Sequence, residues 1–233
     1  DDRTSTVALV LISLLIFSYS SPIIAASSNS KSTTIWSGTV ILPNGHTVGS
    51  QDVLVVEEGT TIRLGADEHI TVAGRIIIQG TTTNPVTVES ISGKHDGIVF
   101  NQSSQGLGSN IENLTILQAE FGITVYGSDP HLNDINIDNV DRVGVDLFDG
   151  ATPTINNLVI NGGGADVHGF STTWRYGIGL SIGANSAPIV NGFSANGLIT
   201  RAINYWGNSG GLLSDLEISN ISGATLAVST GIW

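Results

Sequence analysis

The chain has 233 residues, 29 of them glycine, with no cysteine and no methionine, and 8 basic against 20 acidic side chains give a formal net charge of −12. Charged residues make up only 12% and hydrophobic ones 40%, which excludes a solvating disordered chain. The acidic balance argues against nucleic-acid binding, and the lack of cysteine excludes a disulfide scaffold and thiolate metal or redox sites.

In chain order, the first feature is an apolar run from Val7 to Phe17, broken only by Ser13. It is shorter than the roughly 20 residues a spanning helix needs. The small residues Ala25-Ala26-Ser27-Ser28 follow it. That order predicts a secretory signal peptide over 1–26. The alternative is an uncleaved membrane anchor, because Pro22 to Ala25 lengthens the apolar stretch. Either way the remainder is expected to be exported, as a secreted or cell-surface protein. Residues 27–34 read as a polar linker. Residues 35–95 are expected to form an N-terminal cap, assigned to Trp36–Pro43, and the first turns of a repeat domain. Residues 96–233 are expected to form its regular coils. The chain stops inside a repeat, so an N-terminal portion of a longer protein is expected.

The repeat decides the fold class. Blocks headed Asp96-Gly-Ile-Val-Phe, Phe121-Gly-Ile-Thr-Val, Val143-Gly-Val-Asp-Leu, Tyr176-Gly-Ile-Gly-Leu, Arg201-Ala-Ile-Asn-Tyr and Ala224-Thr-Leu-Ala-Val recur at spacings of 25, 22, 33, 25 and 23. Apolar residues alternate within each block, so each is a strand with one buried face. A second block, apolar-x-x-apolar-x-apolar, follows five of them: Ile111-Leu114-Ile116, Leu132-Ile135-Ile137, Ile155-Leu158-Ile160, Val190-Phe193-Ala195 and Leu213-Leu216-Ile218. Pro130, Pro153 and Pro188 precede three of these blocks, where a residue without an N–H suits a strand start. Gln118, Asn139, Gly162, Gly197 and Asn220 end all five and predict a corner of positive φ. One coil alone cannot bury enough to order itself, so stability must come from stacking.

Three solenoids compete for this pattern. A leucine-rich repeat would need its asparagine one residue later and a different convex side. A left-handed hexapeptide helix would need regular six-residue steps. A right-handed parallel β-helix tolerates variable corner loops, and it is the fold predicted here: all-β, with coils of about 22–25 residues.

The stretch from Gly74 to Val88 (Gly-Arg-Ile-Ile-Ile-Gln-Gly-Thr-Thr-Thr-Asn-Pro-Val-Thr-Val), followed by repeated Gly-Ile-x-Val and Asn-Leu-x-Ile strings, resembles secreted right-handed β-helix repeat proteins of prokaryotes, of the pectate-lyase-like superfamily. The resemblance covers about residues 35–233. It implies the fold, while that fold hosts lyases, hydrolases, adhesins and plain surface stalks.

Aligned coils predict where chemistry could sit. One outward column is expected to hold Val99, Thr124, Asp146, Gly179, Asn204 and Ala227. The next is expected to hold Asn101, Tyr126, Phe148, Ser181, Trp206 and Ser229. Tyr126, Phe148 and Trp206 beside Asp146, Asp149 and Asn204 offer ring faces and hydroxyl partners for a sugar; the alternative is a packed corner stack. The long spacing marks an insertion of about ten residues between Gly162 and Arg175, whose reactive candidates are Asp166, His168, Trp174 and Arg175. A column of His95, Glu120, Arg142 and Arg175 predicts a Glu120–Arg142 ladder ion pair, or else an arginine grip on a uronate carboxylate.

Signatures implied by the family are mostly missing. Of the polygalacturonase-like strings only His168-Gly169 is a partial echo, and the lyase strings Trp-x-Asp-His and Arg-x-Pro-x-x-Arg are absent. Asp146, Asp149, His168 and Arg175 remain the catalytic candidates; Tyr126, Phe148, Trp206, Asn204 and Trp174 are the binding candidates. No cofactor is expected. Calcium would suit an exported acidic chain, yet no calcium-loop motif supports it. The expected partner is a glycan or a surface component. Nucleic acid is not expected, and membrane contact only through the N-terminal segment or a region downstream of residue 233. The leading expectation is a non-enzymatic stalk or binding module; a polysaccharide lyase or hydrolase and a plain structural spacer are the alternatives.

Overall fold

A computed structural model describes residues 31–163, 176–198 and 200–229. The period-two blocks become strands, and their recurrence once per coil stacks them into a parallel β-solenoid of about eight turns. Three coils carry three strands each: β1 (Thr33–Trp36), β2 (Thr39–Leu42) and β3 (His46–Val48); β4 (Val53–Val56), β5 (Thr61–Leu64) and β6 (Ile70–Val72); β7 (Arg75–Gln79), β8 (Val86–Ser90) and β9 (Ile98–Phe100). Five coils carry two each: β10 (Asn110–Leu117) and β11 (Phe121–Tyr126), β12 (His131–Val140) and β13 (Val143–Phe148), β14 (Thr154–Gly163) and β15 (Ile178–Ile182), β16 (Ile189–Leu198) and β17 (Arg201–Trp206), β18 (Leu212–Ser219) and β19 (Ala224–Ser229). The pairs between them are parallel. Of residues 36–43, the span expected to form the cap, Trp36 ends β1 and 39–42 form β2, and these strands pair with β4 and β5.

The change from three strands to two has a local cause. The first half of β10 pairs with β7 and its second half with β8. The chain bends between them at Asn113, whose φ is 49°. The same bend recurs at Asp134, Asn157, Gly192 and Asp215, all with positive φ. Residues with a short polar side chain, or none, tolerate that region. The bend explains the x-x spacing: one left-handed residue turns the strand so that Leu114, Ile135, Leu158 and Phe193 still point inward and are buried. The predicted corner also stands, since Gln118, Asn139, Gly162, Gly197 and Asn220 all have positive φ. The proline positions fit their column as well. The carbonyls of Pro130, Pro153 and Pro188 accept from Thr154, Ile189 and Leu212 one coil on, while their missing N–H groups leave no gap in the ladder.

Register makes each inward column chemically uniform. Val56, Ile78, Ile111, Leu132, Ile155 and Val190 follow one another from coil to coil, all buried. On the opposite sheet Val72, Phe100, Val125, Leu147 and Ile182 do the same. Outside the larger sheet an amide ladder runs through Asn110, Asn133, Asn156 and Asn191, with steps of 3.3, 2.7 and 3.1 Å. Asn133, Asn156 and Asn191 each donate to the preceding coil, and Asn110 at the start donates to Glu112 on its own strand.

Coil four corrects one expectation. Ile178, not Tyr176, stands opposite Val143, so Gly179 rather than Gly177 joins Gly122 and Gly144. The step across the insertion is therefore 35 residues and the next one 23. These glycines are required by the core. A Cβ on Gly144 would strike the Ile160 Cδ1 methyl and come within 2.8 Å of the Gly179 carbonyl oxygen. Replacing Gly144 by Ala is expected to cost about 1–3 kcal/mol through overpacking. Gly210→Ala, with nothing within 4 Å of the added carbon, is expected to stay within about 0.5 kcal/mol of the parent. Thermal melts followed by circular dichroism compare the two.

Candidate functional site

The outer face of the eight-stranded sheet carries the candidate site. Columns on this face run coil to coil, so residues far apart in sequence become neighbours. Val99, Thr124, Asp146, Ser181 and Asn204 form one column. Ser181 takes the place expected for Gly179. The adjacent column places Tyr126 opposite Phe148. Gly183 then holds the position expected for Ser181, one coil before Trp206. That substitution shapes the surface. A Cβ on Gly183 would overlap the Trp206 indole, so the bare backbone lets this ring lie across the coil and reach Phe148.

The three aromatics therefore form a continuous platform. The Tyr126 and Phe148 rings are stacked at 5.2 Å with 15° between their planes. Trp206 meets Phe148 edge-on at 5.5 Å and 68°. The Trp206 Nε1–H donates to Ser181 Oγ at 3.3 Å, which fixes the indole. Tyr126 is 39% exposed, and Phe148 and Trp206 are half-buried.

A groove of about 290 Å³ opens beside the platform, lined by His69, Asp96, Val99, Phe121, Thr124, Tyr126, Asp146 and Phe148. Asp146, Tyr126 and Phe148 come together there, as the columns predict. Asp149 does not line it; it is an exposed corner residue with φ of 53°. Asn204 is buried two coils beyond Asp146, outside the lining. Asp166, His168, Trp174 and Arg175 lie outside the described residues. Asp96, His69, Phe121, Val99 and Thr124 complete the groove, and sequence reasoning did not single out the first three as site residues. Asp96 heads its block as Phe121 heads the next, and that alignment was the signal available.

The charged groups around the groove are unequal. Burial first, then the nearby Glu120 carboxylate, pushes the Asp96 carboxyl above its usual range; Asp67 adds to this while His69 and Arg142 oppose it. Arg142 pairs with Glu120 at 3.7 Å, the predicted ladder pair. Its guanidinium also sits 5.0 Å from the Phe121 ring centroid and 5.1 Å from that of Tyr176. Lys94 pairs with Asp141 at 3.2 Å. The coil after Arg142 brings Gly177 and Ile178 beside it, through bonds to the Asp141 and Arg142 carbonyls, while Arg175, expected in this column, lies outside the described residues. Among the described residues, no group of three or more His, Asp or Glu side chains could hold a metal ion.

His95 anchors the start of this region from inside. It is fully buried; its Nδ1 accepts from the Gly97 N–H at 3.0 Å, which leaves Nε2–H to donate to the Leu117 carbonyl at 3.1 Å. This arrangement needs the neutral ring, and desolvation lowers its pKa to about 4, with Lys94 acting in the same direction. No family model matches the chain, and no curated protein and no solved structure matches it.

The His95 shift sets a pH dependence with a definite sign. The unfolded ring takes up a proton near the ordinary histidine value of 6.5, and the folded one only at about 4. Its contribution is full above the unfolded value and is lost as pH falls through that window. The loss amounts to about 3 kcal/mol. Asp96 acts in the opposite sense, because its folded carboxyl gains a proton before the unfolded one does. Denaturant titrations between those limits should show a shallower fall in His95→Gln, whose amide keeps both hydrogen bonds without titrating. An unchanged slope would remove His95 as the cause.

Proposed function

We propose that the chain is an exported β-helix stalk or binding module of a larger cell-surface or secreted protein, and that the groove beside Tyr126 and Phe148 receives a glycan. The apolar run from Val7 to Phe17 and the small residues after it support export. The resemblance to secreted β-helix repeat proteins supports a surface setting. The observation that carries glycan contact is the Tyr126–Phe148 stack, with Tyr126 exposed, at the wall of a groove that His69 and Asp96 also line. A sugar ring offers an apolar C–H face to such a platform and hydroxyls around its edge. Asp96, half-buried in the lining, supplies an acceptor at that edge. Rigid coils hold these groups in place before any ligand arrives, which reduces the ordering cost of binding.

A second reading has its own observation. Asp96 and Asp146 line one groove, and Asp96 holds its proton more tightly than an ordinary carboxyl. Glycoside cleavage uses two carboxyl groups flanking the bond, one of them protonated. Under this reading the chain is a hydrolase or lyase of the pectate-lyase-like superfamily. A plain spacer would bind no glycan and cleave none.

A panel of neutral and uronic-acid oligosaccharides, read for binding by calorimetry and for turnover by new reducing ends or unsaturated products, separates these readings. The module is expected to bind without turnover. Tyr126→Ala and Phe148→Ala are each expected to weaken binding about tenfold, or ~1.4 kcal/mol, with an unchanged circular dichroism spectrum. Turnover abolished by Asp96→Asn would establish the enzyme. No binding to any glycan would leave the spacer.

A further inference from the structure

The first and last described coils carry at their surface the apolar columns that the middle of the solenoid buries. One inward column runs from Trp36 through Val56 and Ile78 to Val190 and Leu213. A second runs from Val40 to Ile218, and a third, on the opposite sheet, from His46 to Leu226. Leu226 is 55% exposed, and Trp36, Val40, His46, Leu213 and Ile218 are half-buried. An outward column of the larger sheet shows the same division, although no core position demands it. Its middle is polar: Asn110, His131 and Thr154. Towards the first coil it turns apolar through Ile77 and Val55 to Ile35, and towards the last through Ile189 to Leu212. Ile35 and Leu212 are each 61% exposed. Clustered exposed apolar side chains mark interaction surfaces. Among the described strands, β1, β2 and β3 begin the sheets and β18 and β19 end them, and such edges are templates for pairing.

The two ends fit each other. Inside the molecule β10 already joins a three-strand coil to a two-strand one, its halves pairing with β7 and β8 on either side of Asn113. β18 has the same bend at Asp215, so its halves match β1 and β2 of another copy, with β19 against β3. In that register Leu213 meets Trp36, Ile218 meets Val40, Leu226 meets His46 and Leu212 meets Ile35. Glu217 meets Thr39, so no like charges oppose each other in that column. A two-fold contact of like ends would run the strands antiparallel and break the columns. We propose that the last coil of one copy stacks on the first coil of the next in parallel register, so that the chain self-associates head to tail. Such a contact is heterologous and builds linear runs of copies. It is independent of the glycan reading, because the groove lies on the lateral face of the eight-stranded sheet.

Paired cysteines read this contact directly, because the chain has none of its own. Within one copy Ile35 and Leu212 are seven ladder steps apart, ~34 Å at ~4.8 Å per step, too far for an internal disulfide. Across the proposed junction they are neighbours. The whole chain carrying Ile35→Cys with Leu212→Cys is expected to give a series of disulfide-linked dimers, trimers and longer species on non-reducing gels after mild oxidation. Each single variant is expected to stay monomeric on those gels, while an equimolar mixture of the two gives dimers and nothing longer. Both side chains are exposed and outward, so these changes spare the core. Sedimentation of the unaltered chain at about 150 mM salt, which screens its charge of −12, should show a mass that rises with concentration. Ile35→Lys and Leu212→Lys should each weaken that association at least about tenfold. A monomer at every concentration overturns the proposal, whatever covers the two ends. Dimers from one single-cysteine variant as readily as from the mixture mark a contact of like ends and overturn it. Association indifferent to both lysine variants places the interface elsewhere and overturns it as well.

Discussion

Parallel pairing of each coil with the next, residue above residue, is the constraint on which everything else in this protein depends. Ile123 must lie under Val145, and Val145 under Leu180, because the strands share hydrogen bonds in that register. One coil is too short to bury its own apolar face, so the core exists only as a stack. The result is a set of columns, each holding one kind of side chain along the solenoid. Aliphatic columns form the core, left-handed residues form the corners, and outward columns form the surface. A single substitution therefore acts on two neighbouring coils as well as on its own.

The site is a consequence of those columns. Tyr126 and Phe148 stack because they are one coil apart on the same face. Trp206 reaches Phe148 across Gly183 because that position lacks a side chain. Asp146 is held fully buried between Thr124 and Ser181, in a row otherwise made of small or neutral groups. The corner loops contribute Asp96 and His69 at the edge. Arg142 pairs with Glu120 and lies against the Phe121 and Tyr176 rings.

Much of this was legible in the residues. Alternation gave the strands, the Asn and Gly corners gave the coil length, and the prolines marked the strand starts. The Tyr126–Phe148 stack and the Glu120–Arg142 pair followed from the same alignment. Coil four was not legible, and the reason is physical. Tyr176-Gly-Ile-Gly-Leu contains two glycines two residues apart, each followed by an apolar residue. A slip of two leaves every side chain on its own face, so the hydrophobic pattern cannot distinguish the registers. Only the space beside the Ala202 carbonyl, Leu198 and Phe193, closed to any Cβ, selects Gly179. Asp96 and His69 escaped notice because each sits just before a strand, where alternation carries no information about direction. The bend at Asn113 was legible only as an irregular spacing.

Register at coil four is thus the point where the account is most exposed. The chain has no cysteine of its own, so paired cysteines report on that register without background. The account predicts that Asp146→Cys with Ser181→Cys oxidises readily to an intramolecular disulfide, because the two positions face each other across one ladder step. Asp146→Cys with Gly179→Cys should stay reduced, since a side chain at Gly179 points at Phe193 and Leu198 in the core. Cross-linking of the second pair and not the first, followed by mass spectrometry of the oxidised peptides, would contradict the stacking from which the whole site is built.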